Sequence, residues 1–202
     1  MRGNVLYLRS RRVPAALAVA TGATLAVWAA WSAFSTRRDV AVEIVVLVVL
    51  LPVTAAAGTL AGPDDAFERT AARPWPVRRA LHLLTVAATV VLLLAATSAT
   101  GARFGPFWLV ARDAAGLAGL TALCAVVAGA PRAWLVPLGW TMIVLVTSDS
   151  STGAGRVLRW MLQYPDDRAA GATAVALACT GAIAYALRGS RTATASGVPG
   201  TE

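Results

Sequence analysis

The side chains best suited to chemistry are scarce in this sequence. It has one histidine, His82, and two cysteines, Cys124 and Cys179, which stand 55 positions apart. Such a set cannot supply the four nitrogen and sulfur ligands of a structural zinc site, so neither a metal nor another cofactor is expected. Both cysteines sit in apolar runs, where a thiol behaves as a small buried hydrophobe, and no disulfide framework is expected. His82 could act as a lone base at the start of an apolar run, but a capping or interfacial role fits it better. No Gly-x-Ser-x-Gly, no His-Glu-x-x-His and no paired glutamates on one helix face occur, so the chain does not read as an enzyme. Glu43 is the only acid well inside an apolar run, about one turn from its end and within reach of an interface. Asp113 follows Arg112 and is expected to pair with it as a cap where another apolar run begins.

The basic residues carry more information. All 18 are arginine and there is no lysine. A Walker A loop uses a lysine to reach the β- and γ-phosphates, so this chain is not a P-loop ATPase. The net charge of +8 could suggest nucleic acid. The arginines, however, stand in short pieces between apolar runs, the pattern of membrane loops, and no nucleic-acid partner is expected.

Three charged segments could carry function. Residues 61–79 read AGPDDAFERTAARPWPVRR. Pro63 followed by Asp64 and Asp65 starts a helix, and Phe67, Ala71 and Trp75 recur every four residues as an apolar stripe. Asp65 and Arg69 are i,i+4 partners, and Pro74 and Pro76 are expected to break the helix. The bland alternative is a solvated loop. The sharper one is a short helix on the inner face that docks another protein. Residues 148–168 hold a flexible SDSSTGAG stretch and then Arg156–Gln163, too short to span. Its Val157, Leu158, Trp160, Met161 and Leu162 suit an interfacial helix, which would be either a connector or an outer lid. Residues 1–12 interleave Val5, Tyr7 and Leu8 with four arginines and could lie along an anionic inner interface.

The elements that must position these segments are apolar runs. A bilayer core of roughly 30 Å takes about 20 helical residues. Runs of that kind occur at Val13–Phe34, Val40–Leu60, Ala80–Thr100, Ala114–Ala130, Ala133–Thr147 and Ala169–Leu187. The fourth and fifth are short, and one long broken or re-entrant segment is their competing description. Pro52 and Pro137 are expected to kink their spans. The hydrophobic share of 57%, the charged share of 14% and a mean hydropathy of +0.66 agree with a chain dissolved in lipid. The expected fold is therefore an all-α membrane protein: a single transmembrane domain, 1–202, with six spans. With the N-terminus inside, the inner segments hold 11 arginines and the outer ones 7, which puts both termini in the cytoplasm. The run after Arg12 exceeds a signal-peptide core of 7–15 residues, so the first span is expected to be retained. Trp28, Trp31, Trp108 and Trp134 fall at belt positions, and residues 188–202 read as a flexible inner tail.

At this point the chain resembles the type-2 ABC transporter permeases, and more narrowly small actinobacterial permease-like membrane proteins of that superfamily. The likeness is carried by FERTAARPWPVRRALHLL (67–84), VARDAAGLAGLTAL (110–123), WLVPLGW (134–140) and RWMLQYPDD (159–167). The resemblance implies a subunit of an ATP-driven exporter in the cell membrane, working as a homo- or heterodimer with a separate ATPase chain. It implies that the loop between spans two and three is a coupling helix touching that ATPase through Glu68, Arg69 and Arg73, flanked by Asp64, Asp65, Arg78 and Arg79. It also implies an outer helical element at Arg156–Gln163, with Arg156, Arg159, Trp160 and Gln163 as its polar and aromatic anchors. Two departures stand out. The chain is shorter than a usual permease, and spans four and five are short. The alternative is an accessory, immunity or assembly membrane protein with no transport path of its own. An enzyme acting on lipid is a third class, which the shortage of intramembrane catalytic groups disfavours.

Overall fold

The computed structural model describes residues 13–61, 75–97, 99–100, 102–147 and 152–191. Asp64, Asp65, Glu68, Arg69 and Arg73, residues 1–12 and residues 192–202 lie outside the described residues.

The described chain is helical. α1 is Val13–Phe34, and α2 is Val42–Ala57, continued by a 3-10 turn at Gly58–Leu60. α3 is Trp75–Thr97 and α4 is Phe107–Ala128, followed by a 3-10 turn at Ala130–Arg132. α5 is Leu135–Val146, and α6 is the six-residue Gly153–Leu158, followed by a 3-10 turn at Trp160–Leu162. α7 is Arg168–Arg188. Five segments are long and apolar enough to cross a membrane: α1, α2 with its 3-10 turn, α3, α4 and α7. This is the build of a multi-pass membrane protein. At 1.5 Å per residue the 22 residues of α1 reach about 33 Å, enough for the hydrocarbon core.

Three boundaries differ from the sequence expectation, each for a local reason. α3 starts at Trp75 rather than Ala80, because Pro76 is its second residue. A proline in a first turn removes only an N–H that has no helical partner, so it begins a helix there instead of breaking one. Arg78 and Arg79 thus belong to α3 and not to the loop. α4 starts at Phe107, seven residues before the expected Ala114, so Arg112 and Asp113 lie inside the helix and do not cap it; Pro106 is the N-cap. α5 has only 12 residues, about 18 Å, and Pro137 stands in its first turn, where it need not kink anything. Pro52 does lie inside α2.

The helices form one bundle around α4. In its most apolar stretch 72% of α4 is buried, against 11% for α1, which lies at the edge on α2. α2 contributes Val45, Val46, Val48 and Val49, all buried, as befits a helix apolar on every side. The closest pair is α4 with α7. There a Cβ on Gly119 would fall 2.3 Å from the carbonyl oxygen of Leu177, and one on Gly181 would fall 2.1 Å from that of Gly119. Small residues that let two backbones touch are how helices associate in lipid, where burial from water supplies no drive.

Contacts divide the bundle into two ends. At the near end, Tyr185 Oη donates to the Leu60 carbonyl at 2.9 Å, and Arg191 N donates to the Ala125 carbonyl at 3.0 Å. Gly189–Arg191, expected to start a flexible tail, are thus drawn back onto α4. At the far end the two interhelical loops pair: Arg103 N donates to Arg38 O at 2.7 Å and Val40 N to Arg103 O at 3.1 Å. Trp28 Nε1 reaches Thr100 Oγ1 at 2.8 Å. Val13 and Arg188 both lie toward the near end. Glu43 is exposed in the first turn of α2.

Candidate functional site: the far-end segment seated on Arg112

Residues 152–167 join α5 to α7. Thr152 caps α6, its hydroxyl oxygen accepting from Gly155 N at 3.1 Å. Asp167 caps α7, accepting from Ala170 N at 2.8 Å, and Arg156 Nη2 meets the same carboxylate at 2.9 Å. The Ala170 N–H first, and Arg156 second, hold the Asp167 carboxyl below the usual carboxylate range. A depressed carboxyl stabilises the fold above its unfolded pKa and releases that stability only as pH falls through the folded one, so this tie is intact at neutral pH.

Between these caps the chain does not remain at the interface. The expected Arg156–Gln163 interfacial helix ends at Leu158, and the next turn descends into the bundle. Trp160 and Met161 are fully buried. The Trp160 ring lies over Gly116, where an added Cβ would come within 2.4 Å of its Cη2. Gly116 is nine residues along α4 from Phe107, so the indole reaches about 14 Å below the far end of that helix, close to its midpoint. Trp160 is therefore a core residue and not an interfacial anchor. Arg156 alone of the four expected anchors is exposed. Arg159 Nη1 donates to the Thr147 carbonyl at 2.7 Å, and Gln163 is half-buried.

Backbone that leaves helical form at membrane depth must find partners in the protein, since lipid offers none. Arg112 provides them. Its Nη2 donates to the Met161 carbonyl at 3.2 Å and the Gln163 carbonyl at 3.1 Å, and its Nη1 to the Tyr164 carbonyl at 3.0 Å. Its Nε donates to Asp113 Oδ1 at 3.0 Å. The pairing with Asp113 was legible in sequence; the three carbonyls were not. The two side chains are 7% and 0% exposed, so Asp113 supplies the countercharge that makes a buried guanidinium tolerable. The planar fork serves several acceptors at once, which a lysine ammonium could not match. Further ties come from α5: Trp140 Nε1 donates to Leu158 O at 2.9 Å, and the Thr141 hydroxyl lies 3.8 Å from Met161 Sδ.

Of the expected coupling residues, only Arg78 and Arg79 are described. Arg78 is half-buried, with its guanidinium 5.9 Å from the Trp75 ring centroid. Arg79 is 8% exposed and lies against Gly189, where an added Cβ would come within 2.7 Å of its Cζ. There it faces the carboxyl end of α7, a favourable place for a cation. His82 is not a cap: it is buried in α3, with Nε2 2.9 Å from Thr59 Oγ1. Cys124 is buried and Cys179 exposed, both as free thiols. Among the described residues, no group of three or more His, Cys, Asp or Glu gathers as metal ligands would.

No family model, curated protein or solved structure matches this chain.

Proposed function

We propose that the chain is the membrane-embedded subunit of an ATP-driven exporter of the type-2 ABC kind, working as a dimer with a separate ATPase chain. The observation that carries this reading is the segment between α5 and α7, seated in the bundle by Arg112 at the position where the resemblance implies an outer helical element. Three features support it. These 202 residues contain no lysine and hence no Walker A loop, which suits a membrane subunit rather than an ATPase. Counted over the whole sequence with the N-terminus inside, the inner segments hold 11 arginines and the outer ones 7, the bias of a cytoplasmic face. The 3-10 turn at Ala130–Arg132 with α5 forms a shorter apolar stretch, Ala130–Val146, that this reading takes as a sixth crossing.

In this reading the ATPase docks at the near-end loop through Asp64, Asp65, Glu68, Arg69 and Arg73, and closure of the ATPase pair shifts α2 and α3 between two arrangements. Coupling of that kind requires differential contacts in two states. The far-end segment then bars the bundle until its hold on α4 is released. The test is co-purification of the tagged full chain from its native membrane, followed by an ATPase assay. Wild type is expected to retain a nucleotide-hydrolysing subunit, and the Glu68→Arg, Arg73→Glu pair to lose both subunit and activity. Retention of the subunit and activity by the double variant would sink the reading.

Two observations favour the accessory alternative. α5 is short, and α4 and α7 touch backbone to backbone. Wild-type chain that retains no ATPase under conditions preserving other membrane complexes supports that alternative.

A further inference from the structure

A cleft of about 280 Å³ opens between α1, α2 and α3 at the near end. Its walls are aliphatic along most of their length, with Leu17, Ala20, Pro52 and Val86 among them. Along α3 it runs from Arg78 to Leu93, fifteen residues or about 22 Å. That exceeds the roughly 15 Å of one hydrocarbon leaflet. A second cleft, of about 250 Å³, continues from Leu93 between α1 and α3 toward Thr100 at the far end. Of the polar groups along the first cleft, the hydroxyls of Thr85 and Thr89 are turned to carbonyls of α3 itself, those of Leu81 and Thr85. Arg78 stands at its near-end mouth, and the Thr59–His82 hydrogen bond lies one turn deeper.

We infer that this cleft holds one acyl chain of an anionic phospholipid whose headgroup phosphate is bound at Arg78. The occupant follows from depth and charge together. A slot longer than a leaflet, aliphatic along most of its walls and opening at one end beside a cation, has the layout of a lipid, with its tail buried and its phosphate at the interface. The sign follows from Arg78 at the mouth, since an arginine near a membrane surface favours anionic lipid. The phosphate would take the outer face of a guanidinium whose other side faces the Trp75 ring. Arg78 is already positioned by the first turn of α3, so little ordering would accompany binding. This inference is independent of the exporter reading.

The test uses the full chain in vesicles. Phosphatidylglycerol and phosphatidylcholine with matched chains, each carrying a diazirine in one acyl chain, are photolysed separately, and labelled peptides are mapped. The expected result is labelling concentrated on α3 at Leu81, Thr85 and Thr89, preferring phosphatidylglycerol by about fivefold, one arginine's share at an anionic surface. Arg78→Gln is expected to abolish the preference while leaving the labelled positions unchanged. Thr85→Trp, which fills the slot, is expected to remove the label from α3 for both lipids. Should Thr85→Trp not fold, the map on wild type decides alone. Labelling spread equally over the lipid-facing Val175 and Ile183 of α7 means contact with bulk lipid only and overturns the inference. So does a phosphatidylglycerol preference that survives in Arg78→Gln.

Discussion

Arg112 does three things with one side chain: it neutralises Asp113, ends a turn that no helix completes, and fixes how deep Trp160 sits. Its four hydrogen bonds go to a carboxylate and three carbonyls that lipid could not satisfy. Arg112→Ala is therefore expected to lower the stability of the folded chain by about 3–5 kcal/mol, the range for breaking a buried ion pair by removing one partner. Unfolding in mixed micelles measures it, and hydrogen exchange should show residues 160–164 losing protection before α4 does. Arg112→Lys keeps the charge but not the fork and should fall between. Asp113→Asn keeps an acceptor for Nε and should lose less than Arg112→Ala. Wild-type stability in Arg112→Ala would show that the segment is held by the packing of Trp160 and Met161 alone. In the sequence, Arg112-Asp113 was readable as a pair. It was misplaced because two charges look like the edge of an apolar run, whereas here they occupy the second turn of a helix that begins at Phe107.

At the scale of elements, the α4–α7 contact is the tightest in the bundle and depends on two glycines having no side chain. Gly119→Ala and Gly181→Ala each put a methyl inside a carbonyl's contact distance. Either is expected to cost about 1–3 kcal/mol, the usual range for overpacking a well-packed site. Gly22→Ala, in the middle of α1 with no atom within 4 Å of the added methyl, is expected to be neutral or slightly stabilising, since alanine is the better helix former. Measured side by side in the same micelles, the three variants separate a packing effect from helix propensity; equal values for all three would remove the close crossing as a source of stability. Element existence was readable from run length: α1 and α7 fall within one residue of expectation at each end. α5 and the 160–162 turn were not, because a 12-residue helix and a descending turn have the same apolar composition as a short span and an interfacial helix. Only their partners on α4 and α2 separate the cases.

For the whole molecule, the arginine counts of the expected inner and outer segments, 11 and 7, predict an orientation that labelling can test. Thr36 is exposed at the far end and Arg132 at the near end. In right-side-out vesicles from cells expressing a variant without native cysteines, a membrane-impermeant maleimide is expected to label Thr36→Cys and to leave Arg132→Cys unlabelled until the vesicles are opened. The reverse pattern would invert the positive-inside assignment. If both label from one side, an even number of crossings separates the two positions and the up-and-down path through α2, α3 and α4 is wrong.

The sequence by itself determined that this is a helical chain for a lipid solvent. It located the five long apolar elements, with the starts of α3 and α4 late by five and seven residues, and it showed no P-loop in these residues. Those properties follow from local quantities, run length, residue type and charge, that do not depend on which helix meets which. Tertiary structure alone decided that α4 is central, that Trp160 is core and not belt, that His82 bonds Thr59 across two helices, and that Arg112 serves carbonyls 49 to 52 residues away. These depend on the fold because an apolar residue reads the same whether it faces lipid or protein. In a membrane the surface is as hydrophobic as the interior, so the alternation that betrays burial in water-soluble chains is missing. Which face is inside is then set by small residues and buried polar partners, and those are recognised only when the helices stand together.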